Sequence, residues 1–286
     1  AEDRTGEKAV LQRVVALSGG SKAHMVVLTT ASSLGVEIEK VYEKAFLECG
    51  AARVTTLHIQ DRADANDPEN VAVIYEATGV FMTGGDQTRL ASVLGGSEVG
   101  KAMHRAYKRQ GVTIAGTSAG ASAVSEHMIA GGKRGIHPKK GMLNLVPGLG
   151  LLNRVIIDQH FSQRQRLGRL LSIVAQNPFL LGIGIDENTA IVVEPDLTFE
   201  VIGAGAVTIL DARGITNTNV NEAKKGQLLA MCNVQFHLLP EGQRFHIEKR
   251  EPGPRIYQGA LPQALTQMVE AAQEAIQPKT SKRKKA

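Results

Sequence analysis

Apolar positions follow two alternating rhythms along the first half of the chain. Val10, Leu11, Val14 and Leu17 fall at helical spacing over 8–18, and Gly19-Gly20 stops them. Residues 24–31 (His-Met-Val-Val-Leu-Thr-Thr-Ala) then form an apolar run with no alternation, the pattern of a strand covered on both faces. The pair of rhythms repeats. Helix is predicted over 37–48, strand over 53–59, helix from Asp67-Pro68 to Ala77, strand over 79–83, and helices over 86–94 and 99–109. Val112–Gly116 reads as strand and runs straight into a small-residue helix over 119–128. Strand and helix in alternation predict an α/β domain with a mostly parallel, doubly wound sheet.

The second half changes character. Residues 130–150 are rich in glycine and basic side chains (Gly131, Gly132, Lys133, Arg134, Lys139, Lys140) and read as a long exposed loop. Strand is predicted over 155–161 and helix over 163–176, opened by a capping box at Ser162-Gln163-Arg164-Gln165. Strands over 181–185, 189–193, 198–202 and 206–210 follow with only turns between them. Segments 235–239 and 244–248 read as a hairpin across Pro240-Glu241-Gly242. Antiparallel strands therefore extend the parallel core. Leu261–Ile276 reads as a closing helix. With no internal repeat and no linker, one domain is expected over 1–277, followed by a basic, disordered tail over 278–286.

Composition narrows the class. A chain of 286 residues with 43% hydrophobic and 21% charged residues has the material for a large core. No apolar run approaches the ~18 residues that span a bilayer, so no membrane partner is expected. Two cysteines, Cys49 and Cys232, build no disulfide framework and no zinc spacing. The net charge of +5 resides in the tail cations Lys279, Lys282, Arg283, Lys284 and Lys285, so the rest of the chain is neutral. With aromatics at 4% and no Trp, nucleic-acid binding is not expected. No signal peptide is visible after Ala1, and a cytoplasmic location is expected, although an export leader could have been removed.

Candidate chemistry concentrates where predicted strands end. Gly116-Thr117-Ser118-Ala119-Gly120 places a G-x-S-x-G sequence on a strand-to-helix junction, the context of a nucleophile elbow. Small flanking residues permit the tight turn, Ser118 Oγ is held above the sheet, and the Ala119 N–H is a natural oxyanion donor. Thr83-Gly84-Gly85-Asp86-Gln87 is a second glycine turn at a strand end, where the N–H of Gly85 or Asp86 could complete that hole. Asp86 also reads as an ordinary helix cap. Of eight histidines, His24, His58 and His104 lie within regular elements and read as structural. His160 ends a predicted strand and so falls at the same sheet edge as Ser118. Another strand ends in Asp186-Glu187-Asn188, and spacing leaves both acids open as the group that orients the imidazole. Gly19-Gly20-Ser21-Lys22 lacks the upstream glycine of a P-loop, and Gly203-Ala-Gly205 lacks the third glycine of a dinucleotide fingerprint. No metal and no cofactor are expected.

The stretches Thr83-Gly-Gly-Asp-Gln87, Gly116-Thr-Ser-Ala-Gly-Ala-Ser122 and Asp158-Gln-His-Phe-Ser-Gln-Arg164, with Arg166 and Arg169, resemble the cyanophycinase branch of the dipeptidase E-like serine peptidases, family S51. The resemblance runs from Ala1-Glu-Asp-Arg4 to about Ala275. It implies a fold akin to class I glutamine amidotransferases, with Ser118 as nucleophile, His160 as base, Glu187 rather than Asp186 as the third member, and an oxyanion hole near Gly85 and Ala119. It implies cyanophycin as substrate: a polyaspartate backbone with arginine on each side-chain carboxyl, released from a chain end as β-aspartyl-arginine dipeptides. It also implies a homodimer. The branch carries a strand ending in Gly-Gly ahead of the segment that matches Ala1-Glu-Asp3, so that strand is expected to be missing here or replaced.

Each unit of such a polymer presents one carboxylate and one guanidinium. Arg164, Arg166 and Arg169 could grip the carboxylate, with Arg166 and Arg169 on one helix face. Asp158 and Gln87 could receive the guanidinium, and Gln159 is expected among the substrate-binding residues. The rival readings are an α-aspartyl dipeptidase of the same family and a non-catalytic module that binds an anionic or zwitterionic polymer.

Overall fold

The computed structural model describes residues 2–132, 135 and 137–254. The expected closing helix, the basic tail with its domain boundary, and Lys133 and Arg134 of the basic loop lie outside the described residues.

Four short strands form a parallel sheet in the order β2-β1-β3-β4: β1 (His24–Leu28), β2 (Arg53–Leu57), β3 (Gly79–Met82) and β4 (Thr113–Gly116). Every residue of β1 is buried, because both faces are covered. Met25 and Val27 pack with Leu11 and Val15 of α1 (Ala9–Leu17) and with Tyr42 and Phe46 of α2 (Val36–Glu48). Val26 and Leu28 pack with residues of α3 (Pro68–Glu76), α4 (Gln87–Leu94) and α5 (Glu98–Arg105). This two-sided cover explains the run without alternation. Asp67, Asp86 and Ser97 cap α3, α4 and α5 by accepting from backbone N–H groups one turn in.

The helix after the elbow is shorter than its sequence suggests. α6 covers only Ala119–Ala123, and residues expected to continue it form β5 (His127–Ile129), which pairs antiparallel with β6 (Leu145–Pro147) inside the expected loop. Ser125 ends the helix. Its hydroxyl donates to the carbonyls of Ser122 and His127, a local alternative to the helical ladder.

β7 (Val155–Gln159) and β8 (Leu181–Ile185) are parallel and joined by α7 (Leu167–Gln176). α7 starts four residues later than the sequence predicts, and Ser162 is not its cap. The segment between curls with Gln165 at φ 51°, and Arg166 turns inward at the helix start, its guanidinium bonded to Asp158.

The remaining strands are antiparallel. β9 (Thr189–Val193) and β10 (Thr198–Gly203) pair in one sheet, whereas β11 (Ala206–Asp211) joins β8. β12 (Asn217–Thr218) and β13 (Met231–Cys232) form a small ribbon. β14 (Gln235–Pro240) pairs with β11, and β15 (Arg244–His246) pairs with β10 and β16 (Glu251–Pro252). The expected hairpin of 235–239 with 244–248 is therefore corrected: its two strands belong to different sheets, and Pro240-Glu241-Gly242 is the corner between them. Leu239 and Phe245 are buried in the core that the two sheets share with Val201, Val207 and Ile209. Burial of that apolar surface outweighs local pairing.

Candidate active site

The ends of β3, β4, β7 and β8 converge. At the end of β4, Ser118 takes φ 50° and ψ −108°, a conformation that L-residues rarely adopt. The bend demands small neighbours. A Cβ on Gly116 would lie 2.4 Å from the Gly120 carbonyl carbon, and one on Gly120 would lie 2.3 Å from the Met82 carbonyl oxygen. Glu2 supports the bend from below. Its carboxylate accepts from the Thr117 hydroxyl and, at 2.6 Å, from the Tyr42 hydroxyl. Spacing gave no sign of Glu2 or Tyr42, because they come from distant parts of the chain.

Ser118 Oγ lies 3.0 Å from His160 Nε2, and His160 Nδ1 lies 2.6 Å from Glu187 Oε1. A carboxylate only accepts, so Nδ1–H donates to Glu187 and Nε2 is left to accept the Ser118 proton. His160 is buried and itself sits at φ 51°, immediately after β7. Burial pushes its imidazole below the usual histidine range, the hydrogen bond to Glu187 opposes this, and the Arg164 guanidinium adds to the depression. Glu187 is held below the usual carboxylate range, chiefly by the hydrogen bond from His160. Asp186, the other acid that spacing left open, points elsewhere and accepts from the backbone of Ser162 and Ala206.

The glycine turn after β3 lies against the elbow. A Cβ on Gly84 would come 3.2 Å from Ser118 Cβ. Of the two oxyanion donors suggested there, Asp86 drops out: its N–H is given to the Ala31 carbonyl at 2.8 Å, and its carboxylate caps α4. Gly85 has φ +141°, and an added Cβ would sit 1.9 Å from the Ala31 carbonyl oxygen. Gly85→Ala is expected to displace this turn, lowering the thermal midpoint and reducing turnover at least tenfold; an unaltered variant would show that the turn tolerates a side chain.

The polar residues placed around the substrate separate into two groups. Asp158, Arg166 and Arg169 are buried. Arg169 Nε donates to Asp158 Oδ2 at 2.6 Å, Arg166 Nη1 to Asp158 Oδ1 at 3.0 Å, and Arg169 Nη2 also reaches Oδ1. Arg166 further donates to the backbone and side-chain oxygens of Gln159, and burial pushes its pKa down to about 10. The expected outward-facing pair Arg166 and Arg169 is thus an inward ion cluster, because one buried carboxylate draws both cations. Gln159 donates to Gln87 and Ser122, and Gln87 to the Ile129 carbonyl. Arg164 alone of the three arginines is exposed.

Among the described residues, His24, His58 and His104 bond to groups within the fold, as expected for structural histidines. No group of three His, Cys, Asp or Glu side chains there could hold a metal ion, and no described helix is long and apolar enough to cross a membrane.

A family model described as peptidase family S51 matches residues 1–201. The chain belongs to peptidase family S51. Among curated relatives, the cyanophycinase of Nostoc sp. is 39% identical over 257 residues, covering 90% of this chain and 86% of that one. The cyanophycinase of Geminocystis herdmanii is 38% identical over 252 residues, covering 88% and 93%. A crystal structure of a peptidase from an acI-B1 Actinobacterium superposes with a TM-score of 0.59 at 21% identity, over 85% of this chain and 93% of that one. It supports the fold.

Proposed function

We propose that this S51 peptidase is a serine exopeptidase that hydrolyses cyanophycin to β-aspartyl-arginine dipeptides. The observation that carries the proposal is the unbroken hydrogen-bonded chain Ser118–His160–Glu187 at the ends of β4, β7 and β8. The curated cyanophycinases, similar over most of their length, support the substrate.

In this reading Ser118 Oγ attacks a backbone carbonyl of the polymer and passes its proton to His160 Nε2. Glu187 fixes the tautomer and stabilises the imidazolium. The N–H groups of Gly85 and Ala119 receive the charge that develops on the carbonyl oxygen. His160 returns the proton to the leaving amine, and water then releases the acyl group by the same steps reversed. Arg164, exposed and joined through its backbone N–H to the His160 carbonyl, meets the substrate carboxylate in this reading. Gln87 and Gln159 form the adjoining polar wall, and the buried cluster of Asp158, Arg166 and Arg169 holds that wall in position. By resemblance, the proposal includes a homodimer.

Mass analysis of the products from purified cyanophycin tests the activity. Dipeptides of aspartate and arginine are expected; free arginine, or no soluble product, would refute it.

The pH dependence follows from His160. The base must be neutral to accept a proton, and burial lowers its pKa. The acidic limb of kcat/KM is therefore expected below pH ~6.5, the ordinary histidine value. Activity is lost as the pH falls through that limb and is full above it. A limb at or above the ordinary value would show a different titrating group.

A further inference from the structure

A cavity lies at the far end of the active-site wall. From His160 the wall runs through Gln159, whose amide donates to Gln87, and Gln87 donates to the Ile129 carbonyl. Ile129 ends β5, and the next three residues, Ala130, Gly131 and Gly132, line a cavity of about 330 Å³. Gly141 and Asn144 line its other side, and the Ala130 N–H donates to the Asn144 carbonyl at 3.0 Å where the two sides meet. The space is ligand-sized, at the small end of the usual ~300–1,000 Å³. None of the catalytic or substrate-wall residues described above belongs to its lining.

One cation borders this space. Lys225 lines the cavity and is exposed. Its stem lies across Gly141, where an added Cβ would come 3.1 Å from Lys225 Cγ. The loop that carries it is tied down: the Lys140 N–H donates to the Gln227 carbonyl at 2.9 Å, and the Gly226 N–H to the Lys140 carbonyl at 2.8 Å. The neighbouring ammonium of Lys140 is occupied by the Val220 carbonyl. No carboxylate is among the described lining residues, so the Lys225 charge is uncompensated there. Gly131 and Gly132 present main-chain oxygens that no side chain covers, and Asn144 adds an amide. This set suits a zwitterionic arm, with a carboxylate for Lys225 and, on a short aliphatic stem, a donor-rich cation for the carbonyl oxygens. A simple anion would leave those oxygens without a donor, and an apolar group would leave the whole lining unanswered.

We propose that this cavity is a distal subsite for the arginyl arm of a cyanophycin repeat that is not being cleaved. The inference rests on the cyanophycin reading above and extends it from the scissile bond to the rest of the polymer. Lys225 Nζ donates to the free carboxylate of the arm. The guanidinium donates to the main-chain oxygens of the glycine segment and to the Asn144 side-chain oxygen. Held there, the polymer lies along the wall of Gln87 and Gln159 with its end presented to Ser118. A contact so far from the reacting carbonyl is made equally in the ground state and the transition state, so it lowers KM and leaves kcat alone.

Initial dipeptide release from synthetic oligomers of two and of eight β-aspartyl-arginine repeats tests this. Each oligomer has one end of the kind that is cleaved, so a difference in KM is not a count of sites. Two repeats are used up on either side of the scissile bond, whereas eight extend roughly 27 Å along the backbone. The unaltered enzyme is expected to show a KM about tenfold lower for the eight-repeat oligomer. Lys225→Gln should raise that KM about tenfold at unchanged kcat and leave the two-repeat KM within about twofold, and Lys225→Arg should restore it to within about threefold. Gly131→Leu fills the cavity itself. Gly131 lies outside the positive-φ region and has open space at its Cβ position, so the fold accepts the side chain, and the same selective rise in KM is expected. Equal KM values for the two oligomers, a loss shared equally by both in either variant, or an eight-repeat KM unmoved by Lys225→Gln or by Gly131→Leu would overturn the subsite and leave the activity standing. Hydrolysis of neither oligomer by the unaltered enzyme would overturn the proposed function and the subsite with it.

Discussion

Ser118→Ala is expected to lower turnover of cyanophycin by about 10³-fold or more, as loss of a triad member does, and to leave the thermal midpoint nearly unchanged. The two halves of that expectation have separate causes. The hydroxyl is the atom that would form the acyl bond, and nothing else at the site replaces it. Among the described residues the hydroxyl bonds to His160 alone, and it does not cap α6, so the fold loses little. The backbone strain at φ 50° is the same for alanine as for serine. What remains is catalysis by the oxyanion donors and by substrate positioning alone. Glu187→Gln should fall between wild type and Ser118→Ala: the amide keeps the shape but offers no charge to the imidazolium. Steady-state rates and melting curves on both variants decide the matter. Near-normal turnover by Ser118→Ala would eliminate the mechanism, and a large fall in its midpoint would show that the serine is structural.

Asp158→Ala is expected to be the most destabilising single change in the site region. The Asp158 carboxylate is 1% exposed and is the anion shared by Arg166 and Arg169, which are 9% and 6% exposed. Truncation would leave two guanidiniums buried without a counter-charge. Breaking a buried ion pair in this way costs about 3–5 kcal/mol, a large part of the 5–15 kcal/mol that holds a typical domain together. The loss should spread to activity, because Arg166 also holds both oxygens of Gln159 one residue before His160. Urea denaturation measures it. Asp158→Asn, which keeps the volume and one acceptor, should lose less. A loss below about 1 kcal/mol for the alanine variant would place these arginines in the range of solvated surface pairs and return them to the list of direct substrate contacts.

The parts of this protein that were legible in the sequence are those set by local chemistry. β1 and β8 were readable because a strand covered on both sides reads as an apolar run without alternation, as Met25-Val26-Val27-Leu28 does. The elbow was readable because only small residues fit where Gly116, Gly120 and the Met82 carbonyl crowd together. His160 and Glu187 each ended a predicted strand, which put them at one sheet edge before any contact was known. Ser125 shows the limit of such reading. Its apolar, small-residue neighbours suit a helix, yet its hydroxyl bonds to two carbonyls and ends α6 early.

The reading failed where a partner distant in sequence decided the outcome. Arg166 and Arg169 have the spacing of a solvent-facing pair, and only the position of Asp158 on β7 turns them inward. β14 and β15 have the spacing of a hairpin, but their apolar faces find a better partner in the core between two sheets. Asp186 and Glu187 are adjacent, and the direction of the chain after β8 determines which one meets the imidazole. Glu2 reaches Thr117 across 115 positions, a contact no periodicity encodes. Sequence by itself determined the elements, the elbow and the edge on which the chemistry lies, because each follows from sterics and burial within a few residues. Tertiary structure alone decided which polar groups are paired and which face the solvent, because the cost of burying a charge depends on what lies within about 4 Å of it, and those neighbours come from elsewhere in the chain.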